Sequence, residues 1–96
     1  MLIDTHCHLY LNDFESDRDD MVKRAIISGV ERFYLPAVDS TSTFAMLELE
    51  AKYPDKILSM MGLHPCSVKN NYKNELELVN NWLAKRKFTA IGEIGL

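Results

Sequence analysis

Apolar positions along the chain switch between short continuous runs and helical spacings, and the alternation predicts a βα repeat. Leu2-Ile3 leads into Asp4-Thr5-His6 as a brief buried strand. From Ser16 the pattern turns helical: Ser16 is placed to cap, Asp17 to Asp20 put acid in the first turn, and Met21, Val22, Ala25 and Ile26 form one stripe. Gly29 ends that helix, and Arg32-Phe33-Tyr34-Leu35 reads as a second strand closed by Pro36. Ser40 or Thr41 opens a second helix with Phe44, Leu47 and Ala51 on one side, stopped before Pro54. A third strand, Ile57 to Met61, runs into Gly62-Leu63-His64-Pro65. Asn74 then caps a third helix with Leu76, Val79, Trp82 and Leu83 as its stripe, and Thr89 to Ile94 reads as a fourth strand.

The strand ends recur evenly: His6 to Pro36, Pro36 to His64 and His64 to Glu93 are 30, 28 and 29 residues. Strand, helix, strand at this interval predicts an α/β fold with a parallel sheet. His6, His8, His64 and Glu93 all fall at carboxyl ends of strands, where parallel α/β folds carry their chemistry. On a flat sheet the first and fourth strands lie about three spacings of ~4.8 Å apart. That is too far for His6 and Glu93 to share an ion at ligand distances of ~2.0–2.2 Å. If they act as a unit the sheet is curved, as in a barrel. If they do not, an open doubly wound sheet remains possible.

Composition is ordinary for a single globular domain: 96 residues, 47% apolar and 26% charged. A net charge of −3 argues against holding nucleic acid on a basic surface, so a polyanionic substrate needs a bound cation. The opening MLIDTHCHLY lacks the features of a signal peptide, and no apolar run is long enough to span a membrane. Two cysteines are too few for a disulfide framework, which fits the cytoplasm.

Three places could carry chemistry. In extended chain, Asp4, His6 and His8 face one side, while Cys7 faces the other as a small buried hydrophobe. Two converging imidazoles suit a divalent cation, and Asp4 could take a ring N–H and fix a tautomer. A pair of histidines hydrogen-bonded at a strand end is the alternative. Glu93, between Gly92 and Gly95, is a carboxylate at the end of an apolar strand, costly to bury unless paired or metal-bound. With His6 and His8 it completes a two-histidine, one-carboxylate set, whereas alone it would more simply pair with a basic side chain. His64, held extended by Pro65, could contact a phosphate or donate a proton, or could merely complete a turn. Cys66 could approach a metal, but no CxxC pair accompanies it.

Ile3-Asp4-Thr5-His6-Cys7-His8-Leu9, Gly62-Leu63-His64-Pro65 and Gly92-Glu93-Ile94-Gly95-Leu96, in this order, resemble the TatD family of metal-dependent deoxyribonucleases. HxH alone would also fit the wider amidohydrolase and polymerase–histidinol-phosphatase groups. The resemblance implies that the chain is the first half, about four strands and three helices, of a TIM-type (β/α)8 barrel. It further implies a hydrolase whose two divalent metal ions (Mg, Mn or Zn) activate water against phosphodiester bonds of DNA, single-stranded by expectation. By resemblance His6 and His8 bind one metal, Glu93 bridges both and is catalytic, and His64 lies by the substrate phosphate. The family's later histidines and its aspartate have no counterpart here, so the chain alone is expected to be catalytically incomplete.

A barrel of this type takes ~250 residues, and four strands leave two open edges. The expectation is that further chain, or self-association, covers them. Two other functions stay open: a non-catalytic module that oligomerises through its strand edges, and an amidohydrolase-like hydrolase of a substrate other than nucleic acid.

Overall fold

The computed structural model describes residues 1–95, and Leu96, which closes the third motif, lies outside them. Three parallel strands, β1 (Leu2–Asp4), β2 (Val30–Leu35) and β3 (Ile57–Ser59), form a sheet in the order β1-β2-β3. Between and after them run α1 (Arg18–Ile27), α2 (Thr43–Lys52) and α3 (Tyr72–Lys85), with one-turn 3₁₀ segments at Asn12–Phe14 and Pro65–Ser67. Ile3 is in register with Arg32 and Asp4 with Phe33, while Phe33, Tyr34 and Leu35 face Ile57, Leu58 and Ser59. The architecture is an open, parallel βα portion of a TIM-type barrel.

The core lies where α1 packs on β2 and α2 on β3. Its fully buried side chains include Tyr10, Val22, Phe33, Leu35, Met46, Ile57 and Met61. Alternation explains the strands: Phe33 and Leu35 point inward and Tyr34 less so. Gly29 ends α1 as expected, with φ +107°, a conformation that costs glycine little. Its N–H reaches Ile26 O.

Several expectations are corrected. β1 is an exposed edge strand and not a buried one: Leu2 and Ile3 both lie open. The helices start at other residues than the pattern suggests. α1 follows Asp17 and not Ser16, and α3 follows Asn71 and not Asn74. α2 follows Ser42, because Ser40 and Thr41 spend their hydroxyls elsewhere: Ser40 on Glu75 and Thr41 on Asp39. Phe44 is 74% exposed and stands edge-on to Trp82, while Met46 and Leu49 take the inward positions of α2. On α3, Leu76 and Leu83 are exposed and the buried residue is Glu75, whose carboxylate accepts from the backbone N–H and hydroxyl of Ser40.

The fourth strand is reduced to an isolated parallel bridge between Met61 and Ile91. The reason lies in where its backbone bonds go. Ala90 O and Gly92 N pair with Met61, beyond β3, but Gly92 O accepts from Ala37 N and Glu93 N donates to Ala37 O. The segment leaves β3 and leans over the end of β2. Gly62 permits the crossing, since a Cβ there would lie 2.7 Å from the Gly92 carbonyl carbon and 2.8 Å from Glu93 O. Among the described residues, no helix is long and apolar enough to cross a membrane.

Candidate metal centre

The lean of residues 90–93 brings the carboxylate to the histidines. Glu93 Oε2 lies 3.2 Å from both His6 Nε2 and His8 Nε2, and Glu93 Oε1 lies 3.2 Å from His64 Nε2. The two imidazole nitrogens of His6 and His8 are themselves 3.2 Å apart. All four residues singled out for this end of the sheet therefore meet, and the reach argument for a non-planar arrangement holds.

Three consecutive residues just past β2 anchor the group through the main chain. Pro36 O accepts a 2.6 Å hydrogen bond from the Tyr10 hydroxyl, whose oxygen is 3.1 Å from His8 Nδ1. Ala37 exchanges two hydrogen bonds with Gly92 and Glu93, and Val38 O accepts from His64 N. On the other side, Arg18 donates to the carbonyls of Leu9, Tyr10 and Leu11, tying down the loop that follows the histidine pair.

The donor set fits a cation. Glu93 Oε2 is buried, yet it takes no hydrogen bond from any described residue, a costly state for a carboxylate oxygen. Burial holds His8 below its usual pKa, which keeps the ring neutral, as a metal ligand must be. His6, His8 and Glu93 can each offer a ligand atom, all within 4.8 Å of one another. Two imidazoles and a carboxylate with an open side suit a divalent metal.

His64 is arranged differently. Its Nδ1 accepts from Cys66 N at 3.0 Å, so the neutral ring carries its proton on Nε2, facing Glu93 Oε1. It presents a donor to the carboxylate. That fits a group that meets an anionic oxygen and separates it from the metal-ligating set.

Asp4 does not take the ring N–H that the sequence pattern suggested for it. Its Oδ1 accepts from the backbone N–H of His6 at 3.1 Å, and Tyr10 stands at the ring nitrogen of His8 instead. Tyr10 was not singled out from the sequence. Tyr10 sits in the turn that the Leu11 N–H closes on His8 O, and that turn, which extended alternation does not foretell, folds its hydroxyl back to His8 Nδ1. Burial raises its pKa above the ordinary phenol value, so it stays protonated. Cys7 is half-buried against the core, with Sγ 4.0 Å from Tyr34 O. Burial pushes its thiol up to about 12. Cys66 is exposed and reaches the site only through its backbone.

Comparison with known proteins agrees with this geometry. The family model described as TatD related DNase matches residues 3–96. The metal-dependent hydrolase YjjV of Escherichia coli (strain K12) is 33% identical over 98% of this chain and 37% of its own length. The 3'-5' ssDNA/RNA exonuclease TatD of Dickeya dadantii (strain 3937) is 30% identical over 99% of this chain and 36% of its own. The crystal structure of Escherichia coli YjjV superposes with a TM-score of 0.85 at 32% identity, covering 99% of this chain and 37% of that one. This chain thus spans little more than a third of the length of these relatives. Three motifs in order, the site they assemble and the match along almost all of its residues place the chain in the TatD-related DNase family.

Proposed function

We propose that this chain contributes part of a metal-dependent hydrolytic centre that cleaves phosphodiester bonds in DNA, single-stranded by preference, with water as the nucleophile. The observation that carries the reading is the buried Glu93 Oε2, without a hydrogen-bond donor among the described residues and 3.2 Å from two imidazole nitrogens. His6 and His8 would hold one divalent ion through Nε2, and Glu93 would bridge it to a second. Bound there, such ions acidify water and neutralise charge on phosphoryl oxygens.

The chain's own residues set up the rest. Glu93 Oε2 supplies the negative charge that concentrates a cation between the imidazoles, and the main chain of Ala37 holds the carboxylate in place. His64 Nε2–H, which faces Glu93 Oε1, would meet a phosphate oxygen drawn in beside that carboxylate, and its orientation is held by the N–H of Cys66. With a net charge of −3, the surface does not compete for the phosphate backbone, so substrate affinity depends on the cation. The free thiols of Cys7 and Cys66 suit a reducing cytoplasm. The relatives' names, metal-dependent hydrolase and ssDNA/RNA exonuclease, support the same reading. The exposed apolar edges at Leu2 and Ile3 and at Ile91 and Ile94 would be covered by the remaining barrel strands or by a second copy.

Titration with Mn2+ by calorimetry tests the centre. Replacing His6 and His8 together by alanine is expected to abolish saturable binding, and Glu93→Gln to weaken it by at least tenfold. Unchanged affinity in the double variant refutes the assignment.

A further inference from the structure

The geometry points to Tyr10 as the positioning residue that selects the His8 tautomer and so makes its Nε2 a metal ligand. The inference deepens the metal-centre reading and rests on it for the meaning of the ligand, but the tautomer itself is readable without any metal.

The argument turns on one proton. Tyr10 has a single O–H, and its oxygen lies 2.6 Å from Pro36 O and 3.1 Å from His8 Nδ1. A carbonyl oxygen only accepts. Two oxygens at 2.6 Å with no proton between them would repel, so the tyrosine proton is committed to Pro36. The phenol oxygen then has only lone pairs to offer His8, and the contact is favourable when Nδ1 carries hydrogen. A neutral His8 with its proton on Nδ1 has a bare lone pair on Nε2, facing Glu93 Oε2 and His6 Nε2.

His64 provides an internal contrast. There the backbone N–H of Cys66 claims Nδ1 and drives the proton to Nε2. The same carboxylate therefore meets opposite faces of imidazole chemistry, a lone pair at Oε2 and an N–H at Oε1. His6, with a half-exposed ring, can exchange its tautomer through water. His8 cannot, because its far nitrogen is held by a buried group.

Tyr10 is 1% exposed and so cannot touch a substrate. Its effect reaches the centre only through His8, in the manner of groups that orient metal-ligating imidazoles, whose loss weakens affinity by roughly 10–100-fold.

The test uses the 15N-labelled chain free of metal, and then Tyr10→Phe, which keeps the buried ring and removes only the hydroxyl. Nitrogen chemical shifts of His8 are expected to show the Nδ1–H form in the unsubstituted chain and a mixture with Nε2–H in the variant. Mn2+ affinity is expected to fall roughly 10–100-fold in Tyr10→Phe. An Nε2–H form of His8 in the unsubstituted chain overturns the inference, and this measurement needs no variant to fold. A variant with a lower melting temperature but unchanged His8 shifts and Mn2+ affinity also overturns it, since Tyr10 would then serve packing alone. Absence of saturable Mn2+ binding with the expected tautomer would count against the metal centre and leave the role of Tyr10 in setting that tautomer standing.

Discussion

Single atoms decide the behaviour of Gly62 and Cys7. A methyl group on Gly62 would collide with the backbone of Gly92 and Glu93, which no side-chain rotation can relieve. Gly62→Ala is therefore expected to cost about 1–3 kcal/mol in urea unfolding. It is also expected to weaken Mn2+ binding, because the displaced atoms carry the Glu93 carboxylate. Cys7 makes a second case. Its thiol titrates from an ordinary 9.0 up to about 12 because burial disfavours the thiolate. The unfolded chain thus loses that proton first, so the stability Cys7 contributes is complete below about pH 9 and declines as pH rises toward 12. Urea midpoints measured from pH 8 to 11 should fall more steeply for the native chain than for Cys7→Ala. At pH 8 iodoacetamide should label the exposed Cys66 and spare Cys7 in the folded protein.

Among the elements, α2 is the fastener. Glu50 on its inner side accepts from Ser59 N of β3 at 3.2 Å and takes both Nη1 and Nη2 of Arg86, just past α3, at 2.7 and 3.2 Å. One carboxylate thus joins two helices to a strand. Glu50→Ala should cost about 1–3 kcal/mol by chemical denaturation, since it leaves a strand N–H and a guanidinium short of acceptors. The elements themselves were largely legible in the sequence. Apolar spacing marks α1 and β2, Gly29 marks a helix end, and the recurrence of strand ends marks a parallel sheet. What periodicity could not show was which side of α2 faces in: Phe44 and Met46 fit alternative stripes, and packing against β3 selected Met46 and Leu49. The start of α2 was missed in part because Ser40 has a long-range partner in Glu75, 35 residues away. His6, His8 and Glu93 were legible as a set because metal chemistry demands those donors together. Tyr10 and Ala37 were not: one acts through a hydrogen bond to a carbonyl and the other through its peptide group, and neither leaves a compositional mark.

At the scale of the whole molecule, the open sheet governs solution behaviour. Leu2 and Ile3 on one edge, and Val68, Leu76, Ile91 and Ile94 around the other, leave apolar surface in water. Sedimentation velocity of the 96-residue chain is expected to show concentration-dependent association, and Ile94→Lys should reduce it; a monomer at all concentrations would contradict this. The bonds at Pro36, Ala37 and Val38 have a separate consequence for how such a protein tolerates change. The three peptide units each steady a different part of the constellation, yet none does so through a side chain. An alanine scan would miss these anchors and register only the packing of Pro36 and Val38, which are buried and half-buried. Adding or deleting one residue there would scramble every anchor at once, so the spacing along the backbone, more than the identity of any letter, is what selection has to guard.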